Sequence, residues 1–597
     1  DKKIAMLIKL AEALIGFPRH LSQHVGGFII SQDLLTHLVP IENAAMADRT
    51  VIQWEKDDLE ALGLLKVDVL ALGMLTAIQK CLQMVSDYSK APLTMQKIPA
   101  EDSEVYDMMT EADTVGVFQI ESRAQMSMLP RLRPSNYYDL VIQIAIVRPG
   151  PIQGEMVHPY LNRRNGREAV SYPSKAVKDV LERTLGVPIF QEQVMQLAIV
   201  AAGFTGGEAD QLRRDMAAWK RKGRLDLYRE KLVTGMLDRG YEKEFAEKLF
   251  HQIKGFGDYG FPESHSASFA LIAYVSSWFK RYHPAAFCCA LLNSQPMGFY
   301  APAQLIRDVK KHGVIVNAID VNESFYDNTL EFVEHYVKPD SPCHHNTEAQ
   351  LRLGLRSVKG LSQIGAKSVV AARQAGHFTT VQDLVFRSGI SQKDLEALAA
   401  ADVLKKISGD RHRAFWQVSG IKTMGLGKQA INTGDQALFF SDQEFDSDFG
   451  VDVLLPVVSE EQNIVEDYNT VGFTLRRHPV ALFRPHLNNF NVSRADELVC
   501  LADGDKAKVA GLVTCRQRPM TASGVTFLTL EDEAGYVNVV VWPALGEQQR
   551  SVMRQASLMG IVGHVQKSNG VVHLIARELA DLSHWLSEME FFSRDFT

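Results

Sequence analysis

The sequence predicts a multidomain α+β protein, and three observations indicate this fold class. The chain has 597 residues, which is too long for one ordinary core and predicts three or more folding units. Most of the middle of the chain carries helical apolar patterns, whereas five short alternating runs near the C-terminus predict strands. Hydrophobic residues make up 46% of the chain and charged residues 23%, as in an ordinary soluble globular protein.

Charge and composition narrow the classes of function. The net charge of −7 argues weakly against nucleic acid as a partner, although a basic channel can exist on an acidic protein. No apolar run approaches the roughly 18 residues of a membrane span, and the first residues lack the features of a signal peptide. The six cysteines show no CxxC spacing and are expected to be reduced thiols of a cytoplasmic protein.

Residues 1–75 alternate β-like runs with turns, and residues 26–30 and 64–70 are expected to be buried strands. The second run, which reads GLLKVDVLALG from residue 63, holds Asp68 and Lys66 among apolar residues. A buried carboxylate is costly unless its charge is compensated. Because side chains two apart on a strand face the same side, Lys66 is expected on the face of Asp68.

Residues 76 to about 296 are predicted to be mainly helical, with breaks at Gly/Pro stretches such as 148–151. Basic residues lie beside these breaks, including Arg213, Arg214 and Lys220. Guanidinium groups bind oxyanions bidentately, so a phosphate site is one hypothesis. A solvated helix face is the alternative, and spacing alone does not decide between them.

The segment GFPESHS at residues 260–266 precedes a predicted apolar helix. Ser264 or Ser266 is expected to cap this helix, and Glu263 or a bound anion would favour its positive end. The alternative is an ordinary cap with a packing histidine at position 265.

The chain after residue 350 combines helical hairpins with a predicted barrel. Residues 353–373 predict a Gly-bearing turn between helices, with a second copy over 390–404. Such hairpins offer backbone N–H groups to DNA phosphates, and an ordinary αα-hairpin is the alternative. A polar segment over 424–450 is expected to be a linker, including its DSDF sequence, which resembles a two-carboxylate metal motif. Residues 505–582 hold five predicted strands with a helix before the fourth, as in an OB-type barrel.

Eight motifs occur in an order that resembles a known family. They are VGGFII, GLLKVDVLALGMLTAI, VFQIESR, IVRPGPIQ, IFQEQVMQLA, LRRDM, FGDYGFPESHSASFALIAY and VKGL…IGA. The chain, over essentially its whole length, resembles the bacterial C-family DNA polymerases, the α subunit of DNA polymerase III. Glu263 precedes SHS where the main replicative enzyme typically has Lys, and the chain ends soon after the predicted barrel. Both features are more similar to the error-prone, damage-inducible branch.

The resemblance implies both architecture and activity. It implies a partial, β-rich palm, large mainly α-helical fingers, a helix-hairpin-helix DNA-binding region and a C-terminal OB-type β-barrel. The implied ranges are 1–75 for the C-terminal part of the palm, 76–345 for the fingers, 346–423 for the hairpin region, 424–504 for a linker and connecting segment, 505–582 for the OB-fold and 583–597 for a tail. The implied function is error-prone DNA-directed DNA synthesis in damage-induced mutagenesis and translesion synthesis, in the bacterial cytoplasm.

The resemblance makes Asp68 the third palm carboxylate of the family. It would help bind the two Mg²⁺ ions of nucleotidyl transfer, and Lys66 would meet a phosphate beside it. The other two carboxylates belong to a PDxDxDF-type motif, which does not occur among these residues. The chain is therefore expected to be a C-terminal fragment that lacks the PHP domain and part of the palm, and to be inactive alone.

The resemblance also implies binding residues and partners. The expected nucleotide-binding residues of the fingers are Arg148, Arg213, Arg214, Lys220, Ser264, His265 and Ser266. The expected DNA-binding residues are Lys359, Gly360, Gly365, Arg411 and Arg413 in the hairpins, and Arg516 and Arg518 on the barrel. Gln436, Phe439 and Phe440 have the shape of a sliding-clamp peptide. The expected partners are primer–template DNA, dNTPs, a sliding clamp and mutagenesis accessory proteins, without a membrane.

Two other functions stay open at this point. One is the main replicative α subunit, and the other is a DNA- and clamp-binding module without catalysis. The missing carboxylate pair favours a binding module for the isolated chain, whereas the intact Lys66 and Asp68 favour a catalytic parent.

Overall fold

A computed structural model describes most of the chain. The described residues are 2–17, 26–44, 48–54, 56–148, 151, 155–216, 225–255, 261–298, 300–332, 349–423, 455–456, 458–518, 524–568 and 571–587. The chain divides into two compact units, residues 1–76 and residues 77–597. No helix within the described ranges is both long and apolar enough to cross a membrane.

The first unit contains two small antiparallel sheets. Strand Gly27–Ile30 pairs with strand Leu65–Asp68, and strand Ile41–Asn43 pairs with strand Thr50–Ile52. The predicted burial of the first pair is wrong, because Leu65 is 59% exposed and its neighbours along the strand are also accessible. A two-stranded sheet covers neither of its own faces, so its apolar side chains stay accessible unless another element packs over them.

The longest element of the first unit is a helix, which the β-like interpretation of this region missed. Helix Lys2–Leu14 has no buried residue, and a short helix, Lys56–Ala61, precedes the strand that ends at Asp68.

The fingers are helical, as predicted. Their helices are Leu72–Ser89, Ser103–Thr110, Arg123–Leu132, Tyr137–Ile146, Val157–Arg164, Lys175–Leu181, Gln191–Val200, Gly206–Met216, Leu225–Leu237, Lys243–Gly255, Glu263–Tyr282, Pro284–Leu292 and Pro302–Lys311. Helix Glu263–Tyr282 packs along helix Tyr137–Ile146, in which every residue from 139 to 146 is buried. A helix that is buried all round lies in the core of a large domain, so these two helices form the centre of the fingers.

The hairpin region begins with a small three-stranded sheet. Its central strand, Ala349–Arg352, lies between strands Val316–Asn317 and Thr329–Phe332. The helices that follow are Gln363–Arg373, Val381–Ser388, Gln392–Ala400, Lys405–Ser408 and Arg411–Thr423. The first predicted hairpin has only a 3-10 turn, Leu355–Ser357, before its glycine turn.

Two ordered helices lie within the predicted connecting segment 424–504. Helix Glu460–Thr470 begins with a capping box formed by Ser459 and Gln462, and helix Pro479–Asn488 follows it. Reciprocal capping satisfies two backbone N–H groups at a helix start, which explains why this stretch of a polar segment is helical.

The C-terminal barrel confirms the OB-type prediction. Its strands are Lys506–Gln517, Thr526–Glu531, Tyr536–Val541, Leu558–Ser568 and Val571–Asp581, and they close into one barrel. Helices Pro543–Gln548 and Arg550–Gln555 precede the fourth strand, where a helix was expected. Val509, Leu528 and Leu574 fill the interior, because inward residues alternate along each strand.

The acidic turn between the second and third barrel strands fixes the barrel to the rest of this unit. Arg307, on helix Pro302–Lys311, pairs with Glu531 and donates to the carbonyl oxygen of Asp532. Arg484 donates from Nη2 to Glu533 at 3.0 Å, and His478 lies 3.5 Å from Glu531. The turn is therefore held by cations from two different helices.

Candidate functional site

Lys66 and Asp68 share one face of their strand, as predicted. The ammonium of Lys66 contacts the Asp68 carboxylate, and the Asp68 side chain is 41% exposed. An ion pair this accessible contributes less than about 1 kcal/mol to folding. Asp68 is therefore a solvent-accessible carboxylate rather than a buried one.

Asp68 alone does not complete a metal site. Among the described residues, the one group of three metal-ligand side chains is Asp113, Asp308 and His312. Lys280 Nζ already lies 3.0 Å from Asp113 and 2.6 Å from Asp308, so an ammonium supplies the charge that a cation would bring. Within the part of the chain that the structure describes, Asp68 is thus in no group of three metal-ligand side chains, and its role as one metal ligand stays a prediction.

The cluster around Lys280 is a half-buried ion-pair network. His312 Nε2 lies 2.6 Å from the Asp113 carboxylate. Burial opposes ionisation of Asp113, but the hydrogen bond from His312 and the charge of Lys280 outweigh it and lower its pKa to about 2. The same hydrogen bond raises the pKa of His312. This network is structural in character and ties helix Glu263–Tyr282 to helix Pro302–Lys311.

Three separated sequence motifs converge in the fingers. Arg148, from IVRPGPIQ, donates from Nη2 to Oε1 of Gln119, from VFQIESR, at 2.7 Å. The Arg148 guanidinium also lies 4.7 Å from the ring centre of Phe261. The structure thus places Arg148, one of the expected nucleotide-binding residues, beside Phe261 of the GFPESHS segment, and its contact with a nucleotide stays a prediction.

His265 lies in the same place, on the first turn of helix Glu263–Tyr282. Its ring contacts Phe261 edge-on at 5.0 Å and Phe269 at 4.2 Å between ring centres. Burial and the nearby charge of Arg148 lower the pKa of His265. The imidazole is therefore neutral near pH 7, and one ring nitrogen can donate while the other accepts.

The helix start differs from its prediction. The helix begins at Glu263 with Pro262 at the cap position and without a side-chain cap. Ser266 is buried and its hydroxyl donates to the Val141 carbonyl oxygen at 2.6 Å, so its predicted contact with a nucleotide is contradicted. Ser264 is exposed, and its nucleotide contact stays a prediction. The Glu192 carboxylate instead accepts from the backbone N–H of Glu263 at 3.0 Å.

Glu263 itself is held by two side chains that the sequence did not single out. Tyr138 donates to Glu263 Oε1 at 2.8 Å, and Arg183 lies 3.5 Å from the same oxygen. The Arg183 guanidinium stacks 3.7 Å from the Tyr138 ring centre. Of the residues missed, Gln119 lay in a quoted motif, which was the available signal, whereas Tyr138 and Arg183 became visible only in three dimensions.

Arg213 and Arg214 lie on helix Gly206–Met216, and both bind Asp210. Arg213 donates from Nη2 at 2.9 Å and Arg214 from Nε at 2.9 Å. One carboxylate thus orients two accessible guanidinium groups, and their contact with a nucleotide stays a prediction. Lys220 lies outside the described residues.

Two hairpin cations hold the fold together. Arg411 is 2% exposed and pairs with Asp467 at 2.6 Å, which contradicts its predicted contact with DNA. Lys359 donates from Nζ to the carbonyl oxygens of Tyr468 and Asn469 at 2.7 and 2.8 Å. Both bind helix Glu460–Thr470: Arg411 binds side chains within it, whereas Lys359 binds C-terminal carbonyl groups, which lack intrahelical partners.

Steric constraints explain why glycine occupies two positions of the first hairpin. Gly360 has φ +85, and a Cβ at Gly365 would come within 2.5 Å of Asp394 Oδ2. Asp394 accepts from the Ser362 backbone N–H at 2.6 Å. These residues shape the turn, and their DNA contact stays a prediction.

The remaining basic candidates divide by exposure. Arg516 donates to the Met553 carbonyl oxygen at 2.8 Å and to that of Ala556, and burial lowers its pKa. Arg413 and Arg518 are about half exposed, near Asp410 and Glu547 respectively. For the accessible residues Arg413 and Arg518, contact with DNA stays a prediction. Gln436, Phe439 and Phe440, with the DSDF sequence at 446–449, lie outside the described residues.

The helical hairpins and the barrel define the class of the protein. A helix-hairpin-helix family model matches residues 313–414, and an OB-fold nucleic acid binding domain model matches residues 507–582. The fold is thus that of a multidomain nucleic-acid-binding protein. Models of the bacterial DNA polymerase III alpha subunit finger domain and of its alpha NTPase domain match residues 74–240 and 1–71.

Relatives agree with these matches. A protein of Methylococcus capsulatus named "Error-prone DNA polymerase" is 55% identical over 99% of this chain and 56% of its own length. Proteins of the same name from Alkalilimnicola ehrlichii and Idiomarina loihiensis are 53% and 54% identical, over 100% and 99% of this chain and 56% and 54% of their own lengths. Over nearly its whole length the chain is thus similar to bacterial C-family DNA polymerases, the family of the DNA polymerase III α subunit. It spans a little more than half the length of these relatives.

Proposed function

We propose that this chain carries the nucleotide-holding and DNA-holding parts of an error-prone DNA-directed DNA polymerase. The polymerase adds dNTPs to a primer 3′-hydroxyl in damage-induced mutagenesis and translesion synthesis. The observation that carries the proposal is the convergence of Arg148, His265 and Gln119 at the start of helix Glu263–Tyr282. The names of the relatives support the error-prone branch.

This convergence suits a triphosphate. A guanidinium binds phosphate oxygens with charge-assisted hydrogen bonds, and the positive end of a long helix favours an anion. The neutral imidazole of His265 donates to an oxygen without adding charge. The residues position the nucleotide and stabilise charge, and none needs to form a covalent bond.

Asp68 has a separate role in the proposal. It furnishes one ligand to Mg²⁺, and the other carboxylates of the family motif do not occur among these 597 residues. When bound, two Mg²⁺ ions activate the primer hydroxyl and neutralise the triphosphate. Lys66 holds the Asp68 carboxylate in place before a metal competes for it.

The hairpin region and barrel hold the DNA. Arg413 and Arg518 supply accessible positive charge for primer–template phosphates. Binding of Gln436, Phe439 and Phe440 to a sliding clamp, recruitment by accessory proteins and a location in the bacterial cytoplasm are further parts of the proposal.

A primer-extension assay with Mg²⁺ tests the proposal. The chain alone is expected to bind primer–template without extending it. The chain joined to the upstream region of the Methylococcus capsulatus relative is expected to extend the primer, and Asp68→Asn in this chimera should abolish extension. Extension by the chain alone would mean that other acids complete the metal site. A chimera that binds DNA but never extends would favour the binding module without catalysis.

A further inference from the structure

Gln119 has an unusual backbone that its neighbours enforce. Its φ of +63 lies in the left-handed region, where a residue with a side chain is strained. On one side, the Phe118 backbone N–H donates to the Ser276 hydroxyl at 3.3 Å. On the other side, the Ile120 carbonyl oxygen accepts from the Thr114 hydroxyl at 2.7 Å. Hydrogen bonds thus hold the backbone on both sides of Gln119.

This backbone aims the Gln119 carboxamide at Arg148. Its Oε1 accepts from Arg148 Nη2 at 2.7 Å, while Arg148 Nε donates to the Ile144 carbonyl oxygen at 3.2 Å. With Phe261 beneath the guanidinium, the plane of Arg148 is fixed from three directions. Strained residues that persist in this way cluster at functional sites.

We propose that Gln119 is a positioning residue, which orients Arg148 toward the triphosphate without neutralising its charge. The proposal rests on the proposed function of Arg148. A carboxylate at position 119 would form a charge-assisted pair with Arg148 and compete with the phosphate oxygens. The neutral carboxamide accepts one hydrogen bond from Arg148 and adds no negative charge beside the guanidinium.

The test compares Gln119→Glu, Gln119→Gly and the unchanged 597-residue chain bound to primer–template. Titration with dTTP and Mg²⁺ is matched by titration with thymidine, which has the sugar and base but no phosphate. Gln119→Glu is expected to weaken dTTP binding by about tenfold and to leave thymidine binding unchanged. Gln119→Gly is expected to weaken dTTP binding by roughly threefold with an unchanged melting temperature, because glycine adopts positive φ freely.

A pH series separates orientation from a structural role. In Gln119→Glu the added carboxylate offsets the Arg148 charge, so the pKa of His265, read by NMR of its ring protons, is expected to rise. Equal losses for dTTP and thymidine, or a His265 pKa unmoved in Gln119→Glu, would overturn the inference.

Arg148→Gln distinguishes the two levels of the proposal. If Arg148→Gln binds dTTP as the unchanged chain does, the proposed function of Arg148 fails. If Arg148→Gln weakens dTTP binding while Gln119→Glu and Gln119→Gly do not, only the positioning role of Gln119 fails.

Discussion

Two ion pairs in this molecule each join a basic side chain to an aspartate, but they differ in solvent exposure. Lys66 and Asp68 meet on an open two-stranded sheet, where the carboxylate is accessible. Arg411 and Asp467 meet between two helices, where the guanidinium is buried. The accessible pair gains little from its own attraction, because water screens it. The Arg411 guanidinium is enclosed by the fold, and losing Asp467 would remove the carboxylate that compensates its buried charge.

The comparison teaches that burial, rather than charge, sorts the basic and acidic residues of this chain by role. Arg411 and Lys359 hold helix Glu460–Thr470, whereas Asp68 and Arg518 remain accessible. Substitutions at the accessible positions should change ligand binding or catalysis, and substitutions at the buried positions should change stability.

The largest effect is expected at Asp68. In the active chimera, Asp68→Asn should lower the rate of primer extension by roughly a thousandfold or more, because a metal ligand is lost. The free energy of unfolding should change by less than about 1 kcal/mol, because the ion pair is accessible. Single-turnover extension and urea unfolding measure the two. If Asp68→Asn also lowered the free energy of unfolding by clearly more than about 1 kcal/mol, the contrast between the accessible and the buried ion pair would fail.

A large loss of stability is expected at Arg411. Arg411→Met should lower the free energy of unfolding by about 2–3 kcal/mol, because Asp467 loses its buried guanidinium partner and keeps only Arg476 and Thr474. Urea unfolding measures this loss. Arg413→Met, two residues along the same helix and half exposed, is the matched control and should cost less than about 1 kcal/mol. Similar costs for the two variants would show that burial does not separate their roles.

An intermediate effect with a pH signature is expected at His312. Its raised folded-state pKa means that its contribution to stability is present below pH 6.5 and is lost as the pH rises through the folded pKa. His312→Gln should therefore lower the free energy of unfolding by roughly 1.5 kcal/mol at pH 5.5 and by less at pH 9. Urea unfolding at several pH values measures this loss. The result adds a half-buried network to the comparison between the accessible and the buried ion pair. A constant loss across pH would contradict the argument.

The smallest effect is expected at Arg518. Arg518→Ala should weaken primer–template binding modestly and reduce the slope of log affinity against log salt concentration by about one. Arg516→Ala, two residues earlier and on the strand that ends at Gln517, removes hydrogen bonds to carbonyl groups and should lower barrel stability instead. Binding titrations at four salt concentrations, with thermal unfolding alongside, read both outcomes. A reduced slope for Arg516→Ala with an unchanged melting temperature would reverse their assigned roles.

Some features were predictable because they depend on local periodicity. The barrel strands followed from alternation and closed as expected, and Lys66 and Asp68 share a face because side chains on a strand repeat every two residues. The roles of Arg411 and Lys359 were not predictable, since their partners lie more than 50 residues away in a stretch that resembled a linker. The buried position of Ser266 was not predictable for a similar reason, because its hydrogen-bond acceptor, the Val141 carbonyl oxygen, belongs to a helix that is distant in the sequence.

The acidic turn at Glu531 to Glu533 has a consequence for how the barrel responds to salt. Cations from helices Pro302–Lys311 and Pro479–Asn488 bind one corner of the barrel through side chains that are less than a fifth exposed. Added salt screens such partly buried pairs much less than accessible ones. This attachment of the barrel should therefore persist at ionic strengths that weaken the proposed contact of Arg518 with DNA phosphates.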